Sequence, residues 1–249
     1  MSVIAVYSVK GGVGKTTLAV ELAWRWATQG AQTTLIWDLD VQGGAGFLLG
    51  CDAPKTERAA SVFQREGKPR QLIGLTDYQR LSLIPADDSL RKLPLQLARL
   101  GQRKRLATIT AMLKAEYDRI VLDCPAGMNE ITDQAIAAAD LLIVPLPPSP
   151  LSARAIEILR RDLLRNHHRH PPILPVLSMY NSRRKLHREV REASGNWPVV
   201  PMSSEAELCA VRRAPLGSFA ASSLTARAME RLWRGIEAKL GDMRGVHVK

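Results

Sequence analysis

One short segment limits what this chain can fold into more than any other. The run Lys10-Gly11-Gly12-Val13-Gly14-Lys15-Thr16-Thr17 follows an apolar stretch at 3–8 and opens an amphipathic stretch at 15–29. Strand, glycine loop and helix in that order place the helix N-terminus, with its unpaired N–H groups and positive dipole end, at the tip of a strand. Glycines let the loop amides turn inward around an anion, a lysine adds a mobile charge, and a hydroxyl can ligate a divalent cation. The segment therefore predicts a phosphate-binding loop in a layered α/β fold. Gly11, Gly12, Val13, Gly14, Lys15, Thr16 and Thr17 would line it, with Lys15 reaching the β- and γ-phosphates and Thr16 ligating Mg²⁺.

The rest of the chain agrees. Short apolar runs at 33–37, 81–85, 119–122, 141–145, 173–179 and 199–201 alternate with helical patterns near 88–115, 130–139, 151–166, 184–194 and 224–240. Several runs are Val, Ile and Leu without alternation, as strands buried on both faces require. That predicts a mostly parallel sheet with helices on both faces. No repeat or linker divides the 249 residues, so 1–249 reads as a single domain; its least regular part is 42–80. No apolar run approaches the roughly 18 residues of a membrane span, and the first residues read as a strand rather than an export signal, which predicts a cytoplasmic protein.

Three carboxylates close apolar strands. Asp38 and Asp40 sit at i and i+2, so both point the same way from a strand end, and Asp123 ends the run Ile120-Val121-Leu122. One departure from the general pattern G-x-x-x-x-G-K-[ST] is informative: position 9 is Val9 rather than glycine, and Lys10 adds a second lysine. With its Lys10-Gly11-Gly12-Val13-Gly14-Lys15-Thr16-Thr17 loop, Asp38-Leu39-Asp40-Val41-Gln42-Gly43 and Asp123-Cys124-Pro125, the chain resembles the ParA/MinD family of P-loop ATPases, whose deviant Walker A motif has this form. Val41 and Ala126 stand where that family usually has proline.

The resemblance covers the whole chain and implies a P-loop NTPase fold, ATP and Mg²⁺ as ligands, and slow hydrolysis in an ATP-sandwich homodimer. Lys10 would reach across the interface to the other subunit's phosphates, acting with Lys15 and with Asp40, which would orient the attacking water. Asp38 would support the Mg²⁺ shell, and Asp123 would hold the metal directly or through water. Asn181, at the end of Met179-Tyr180-Asn181, would read adenine, with Pro201 on the opposite wall; a simple turn residue is the other reading of Asn181.

Charge points to a partner. Residues 1–150 carry 17 Lys and Arg against 15 Asp and Glu, while residues 151–249 carry 18 against 9. A half-chain at +9 suggests a polyanion, either nucleic acid or an acidic membrane surface. In the helical segment at 184–194, Arg184, Arg188 and Arg191 share one face, leaving Leu186, Val190 and Ala193 for the core. Arg212 and Arg213 would add charge from a nearby element. These five arginines are the candidate contacts to duplex DNA, which the family's partition members bind without sequence preference, on the nucleoid, stimulated by a partner protein; a solvated helix face is the plainer reading.

Three features invite other readings. The run His167-His168-Arg169-His170 has no carboxylate or cysteine spaced to complete a metal site. Met229, Leu232, Trp233, Ile236 and Leu240 form an apolar stripe on a basic terminal helix, which could lie on a membrane as in MinD or pack on the sheet. Cys51, Cys124 and Cys209 are too far apart for a disulfide framework or a redox pair. A metabolic P-loop enzyme acting on a small substrate is the third class, against which Lys10 and the basic half stand.

Overall fold

The apolar run ahead of the glycine loop is a strand buried along its whole length, and the sheet grows outward from it on both sides. The computed structural model describes residues 1–51, 58–64, 67–100, 104–166 and 170–246. Its strands are β1 (Ser2–Val6), β2 (Thr34–Asp38), β3 (Gly74–Leu75), β4 (Leu81–Ile84), β5 (Arg119–Asp123), β6 (Leu141–Leu146), β7 (Ile173–Tyr180) and β8 (Val199–Pro201). The helices are α1 (Lys15–Thr28), α2 (Gly44–Leu48), α3 (Leu93–Leu100), α4 (Arg105–Met112), α5 (Glu130–Ala138), α6 (Pro150–Asn166), α7 (Lys185–Ala193), α8 (Ser204–Arg212), α9 (Leu216–Phe219) and α10 (Leu224–Val246).

The order across the sheet is β3-β4-β2-β5-β1-β6-β7-β8. All neighbours run parallel except the two-residue β3, which pairs antiparallel with β4. Parallel neighbours need crossovers, and helices supply most of them, covering both faces. On β1 the side chains divide by parity. Val3 and Ala5 join one core with Leu106 of α4, Ile131 of α5 and Ile156 of α6. Ile4 and Val6 join the other with Leu18 and Trp26 of α1 and Leu232 of α10. Two buried faces explain the unbroken apolar runs in the sequence.

Two expectations are corrected. The helix expected at 88–115 is a 3₁₀ turn (Asp88–Lys92) followed by α3 and α4. Pro94 lacks an amide to donate, so it fits only a first turn, and a new helix begins at Leu93. The short elements β3, α2, α8 and α9 are additions that periodicity did not reveal. The irregular part around 58 is tied down by Asp87, whose carboxylate accepts from the amides of Arg58 (2.6 Å), Ala59 (2.7 Å) and Ser89 (2.9 Å). Of the histidine run, His167 and His168 lie outside the described residues; His170 is exposed.

The apolar stripe of α10 packs into the sheet: Met229, Leu232, Trp233, Ile236 and Leu240 are all buried. No helix among the described residues is long and apolar enough to cross a membrane. Glu237, on the same helix, accepts from Arg119 (2.8 and 2.9 Å), the Trp26 indole (2.7 Å) and Gln32 (3.0 Å). Burial alone would raise the Glu237 carboxyl, but these donors and the charge of Arg119 outweigh it and hold its pKa below the ordinary 4.5. A depressed carboxyl pKa stabilises the fold above the ordinary value and stops doing so as pH falls through the folded one. Glu237→Gln should therefore cost about 2 kcal/mol at neutral pH, because it leaves a buried guanidinium without its countercharge. Urea unfolding across pH checks this: the gap between wild type and variant should close on acidification below 4.5.

Candidate functional site

The loop between β1 and α1 is shaped for an anion. Gly12 (φ 68°) and Gly14 (φ 84°) adopt left-handed backbone that L side chains rarely enter. A Cβ on either would meet nothing within 4 Å, so the glycines answer to backbone direction rather than crowding. Gly14 caps α1 without a side chain, and the first turn holds no acidic residue. The first amides of α1 thus have no partner of their own and keep the positive helix end for a ligand. Lys15 is buried and folds back, its ammonium donating to the Lys10 carbonyl at 3.5 Å. The Lys10 backbone amide donates to the Ser8 hydroxyl, yet its own ammonium has no partner among the described residues.

Beneath the loop, the pairing of β2 with β5 sets Asp38 directly beside Asp123. Both are fully buried. The Asp38 oxygens accept from the amides of Asp40 (3.1 Å) and Ala45 (2.9 Å). Asp38 therefore fastens the 39–45 loop and supplies the N-terminus of α2 with an acceptor that Gly43, its cap, lacks. Burial pushes the Asp38 carboxyl up to about 7 against the pull of those amides. Neither oxygen of Asp123 accepts a hydrogen bond. Burial first, then the charge of Asp38, raises the Asp123 carboxyl well above the ordinary range, while the charge of Lys15 pulls it back.

A buried carboxylate with no partner is costly unless a cation satisfies it. Asp123 and Thr16 are hard oxygen donors beside a phosphate loop, which fits Mg²⁺. Asp38 is held by amides, so the geometry makes it the residue that positions the loop. Asp40 lies half-buried at the mouth, one oxygen accepting from the Gln42 amide at 3.1 Å.

A cavity of about 280 Å³ adjoins the loop, lined by Val13, Gly14 and Thr17 and walled by Pro145, Val200 and Pro201 among others. Pro201 lines this cavity. Asn181 does not line the cavity: its side chain accepts from the Arg183 amide (2.9 Å) and its amide donates to His187 Nδ1 (3.0 Å). Asn181 is a turn residue, and the strand residues facing the cavity are Ser178 and Met179. The sequence signal for Ser178 is a lone hydroxyl inside the apolar β7.

The arginines are spread out. Arg184 is exposed, Arg188 donates to the Ser182 carbonyl, and Arg191 donates to the carbonyls of Gly195 and Trp197. Leu186 and Ala193 are exposed rather than in the core, and the buried residue of α7 is His187. Arg212 lies over Phe219 at 4.8 Å and Arg213 over Phe47 at 5.0 Å. Arg213 therefore sits beside α2, on the α1 side of the sheet, whereas α7 faces α6 on the other. The two groups are not neighbouring elements, contrary to the expectation.

Gly44 lies against the first turn of α1, since a Cβ there would stand 3.1 Å from Thr16 Cγ2. Gly44→Ala should displace the Thr16 hydroxyl and lower Mg²⁺-dependent affinity for a nucleoside triphosphate by about tenfold, in the range of other supporting contacts to metal ligands. Titration with Mg²⁺ and with EDTA checks this; only the Mg²⁺ arm should change.

A family profile described as an AAA domain matches residues 1–171. A ParA family protein of Chlamydia muridarum is 32% identical over 190 residues, 74% of this chain and 74% of that one. The chromosome partitioning protein ParA of Myxococcus xanthus is 35% identical over 146 residues, 58% of this chain, and the match spans about half (51%) of that relative. Among solved structures, the septum site-determining protein MinD of Pyrococcus horikoshii, complexed with Mg-ADP, superposes with a TM-score of 0.78 at 21% identity, covering 96% of this chain and 97% of that one. Loop, strand order and relatives agree, and the chain belongs to the ParA/MinD family of P-loop ATPases.

Proposed function

We propose that the chain is an ATP-driven switch: two copies close around two ATP–Mg²⁺, bind duplex DNA without sequence preference, and separate after slow hydrolysis, moving DNA or a cargo over the nucleoid. The loop amides from Gly11 to Thr17 hold the phosphates, Lys15 balances their charge within the subunit, and Thr16 with Asp123 would hold Mg²⁺. When bound, the metal neutralises charge gathering on the β- and γ-phosphate oxygens. Asp40 orients the attacking water from the mouth of the site, and Asp38 keeps the Asp40 loop in place.

One observation carries the reading. Lys15 is folded into the loop, while the neighbouring Lys10 has an ammonium with no partner among the described residues. A cation at the phosphate loop that its own subunit does not use is suited to the phosphates of a second copy, where it stabilises charge as an arginine finger does. Lys10→Ala should bind ATP but not hydrolyse it. Asp40→Ala should bind ATP, fail to hydrolyse and accumulate as a dimer visible by light scattering. Mixed heterodimers of the two should recover partial activity, since one ATP then meets an intact Asp40 and, across the interface, an intact Lys10. Heterodimers without recovery would overturn the assignment.

For DNA, support comes from the +9 charge of residues 151–249 and from exposed Arg184 and Arg188, at the cap of α7 and on the helix. A membrane-bound role has less support, because the apolar stripe of α10 is already buried against the sheet. Pairing two basic surfaces raises affinity through linked binding, so ATP can gate DNA without altering any contact. Arg184, Arg188, Arg191, Arg212 and Arg213 are the proposed contacts, in two groups per subunit. Arg184→Glu with Arg188→Glu should weaken every duplex alike and reduce the log–log salt slope by about 0.9 per lost contact, with DNA-independent ATPase unchanged. Retention of unrelated duplexes with ATP and with ADP across a salt series reads this directly. A partner protein that stimulates hydrolysis is the remaining element of the proposal.

A further inference from the structure

Where α8 ends, the chain turns at a residue that its backbone geometry does not favour. Arg213 caps the helix in left-handed conformation (φ 50°, ψ 47°), its amide donating to the Cys209 carbonyl. Helices that end this way usually place glycine there, because a Cβ is penalised in that region. A larger residue held in it points to a use for its side chain. The Arg213 Nε donates to the Phe47 carbonyl at 3.2 Å, and its guanidinium lies over the Phe47 ring at 5.0 Å. The arginine therefore reaches across to α2, the short helix that leads out of the 39–45 loop.

α2 has five residues, too few to keep its shape by its own hydrogen bonds. Phe47 is 49% exposed, so its ring gains little from burial. The helix is instead fastened at both ends. Asp38 accepts from the Ala45 amide at the start, and Arg213 donates to Phe47 at the other end. Between the phosphate loop and this helix there is no slack, since a Cβ on Gly44 would already press on Thr16. A shift of α2 is thus passed directly to the loop that carries Asp40. From this we propose that Arg213 is a positioning residue for ATP hydrolysis, which anchors the far end of α2 and thereby holds Asp40 at the mouth of the site. This rests on the role of Asp40 given above and extends it to a side chain that touches neither nucleotide nor metal. Loss of Arg213 should leave ATP binding intact and slow the step that follows. The effect needs no DNA, which separates it from the loss of a DNA contact.

The experiment measures ATP turnover without DNA for the full chain and for Arg213→Gly, Arg213→Asn and Asp40→Ala, with melting temperatures alongside. Glycine and asparagine both tolerate the left-handed position, so each removes the side chain without straining the backbone. Both variants should melt within a few degrees of wild type. Their kcat should fall about tenfold at unchanged KM, which reports ATP affinity when turnover is slow. Hydrogen exchange in the segment 39–48 should quicken in both, because α2 has lost one of its two fastenings, while β1 stays protected. Wild-type turnover in Arg213→Gly and Arg213→Asn would overturn the inference, as would unchanged exchange in 39–48. So would a melting temperature lowered by more than about 10 °C with KM raised alongside, which marks a general structural role, or a defect seen only with DNA present. Wild-type turnover in Asp40→Ala would instead remove the role of Asp40, so the two failures are distinguishable.

Discussion

Two carboxylates held side by side under a positive helix end organise the loop end of this molecule. The register of β2 on β5 leaves Asp38 and Asp123 no room to separate. Burial resists ionisation of both, and the charge of Asp38 makes that of Asp123 harder to bear. The structure resolves the conflict unevenly. Asp38 is satisfied by backbone amides and becomes an anchor, while Asp123 is left to a cation. The same arrangement explains why Gly44 can press against Thr16: the anchor draws the start of α2 over the first turn of α1. Asp123, Asp38 and the loop that carries Asp40 are thereby fixed relative to one another by one pair of strands.

Much of this was legible in the amino-acid order. Glycines followed by lysine and threonine have few meanings between a strand and a helix, and apolar runs without alternation can only be strands buried on both sides. What was not legible depends on where a side chain turns after its strand ends. Met179 takes left-handed backbone (φ 55°), which redirects the chain before Asn181 and leaves Ser178 and Met179 as the β7 residues at the cavity. No pattern in Met179-Tyr180-Asn181 announces that turn. The stripe on α7 misled for a related reason. Its spacing was right, but the helix buries His187, whose ring accepts from the Asn181 amide, rather than the leucine beside it.

The terminal helix shows charge read correctly in sign and only partly in purpose. Glu230 and Glu237 interrupt the basic side of α10. In the fold each has a specific partner: Glu230 meets Arg234 at 2.8 Å, and Glu237 receives Arg119, Trp26 and Gln32. The Glu230–Arg234 contact stays within α10, whereas Glu237, whose donors come from α1, β5 and the turn after α1, fixes the rotation of the helix so that the apolar stripe meets α1 and the sheet. Orientation of a long helix is decided here by a few polar contacts, with burial supplying the bulk of the stability.

The rims of the sheet carry a different consequence. One ends in β3, two residues running against its neighbour, and the other in β8, three residues closing on Pro201, which has no amide to offer. Edges this short are poor templates for another strand. Side chains and loops, rather than backbone edges, are then the surfaces this sheet leaves for contact with other molecules.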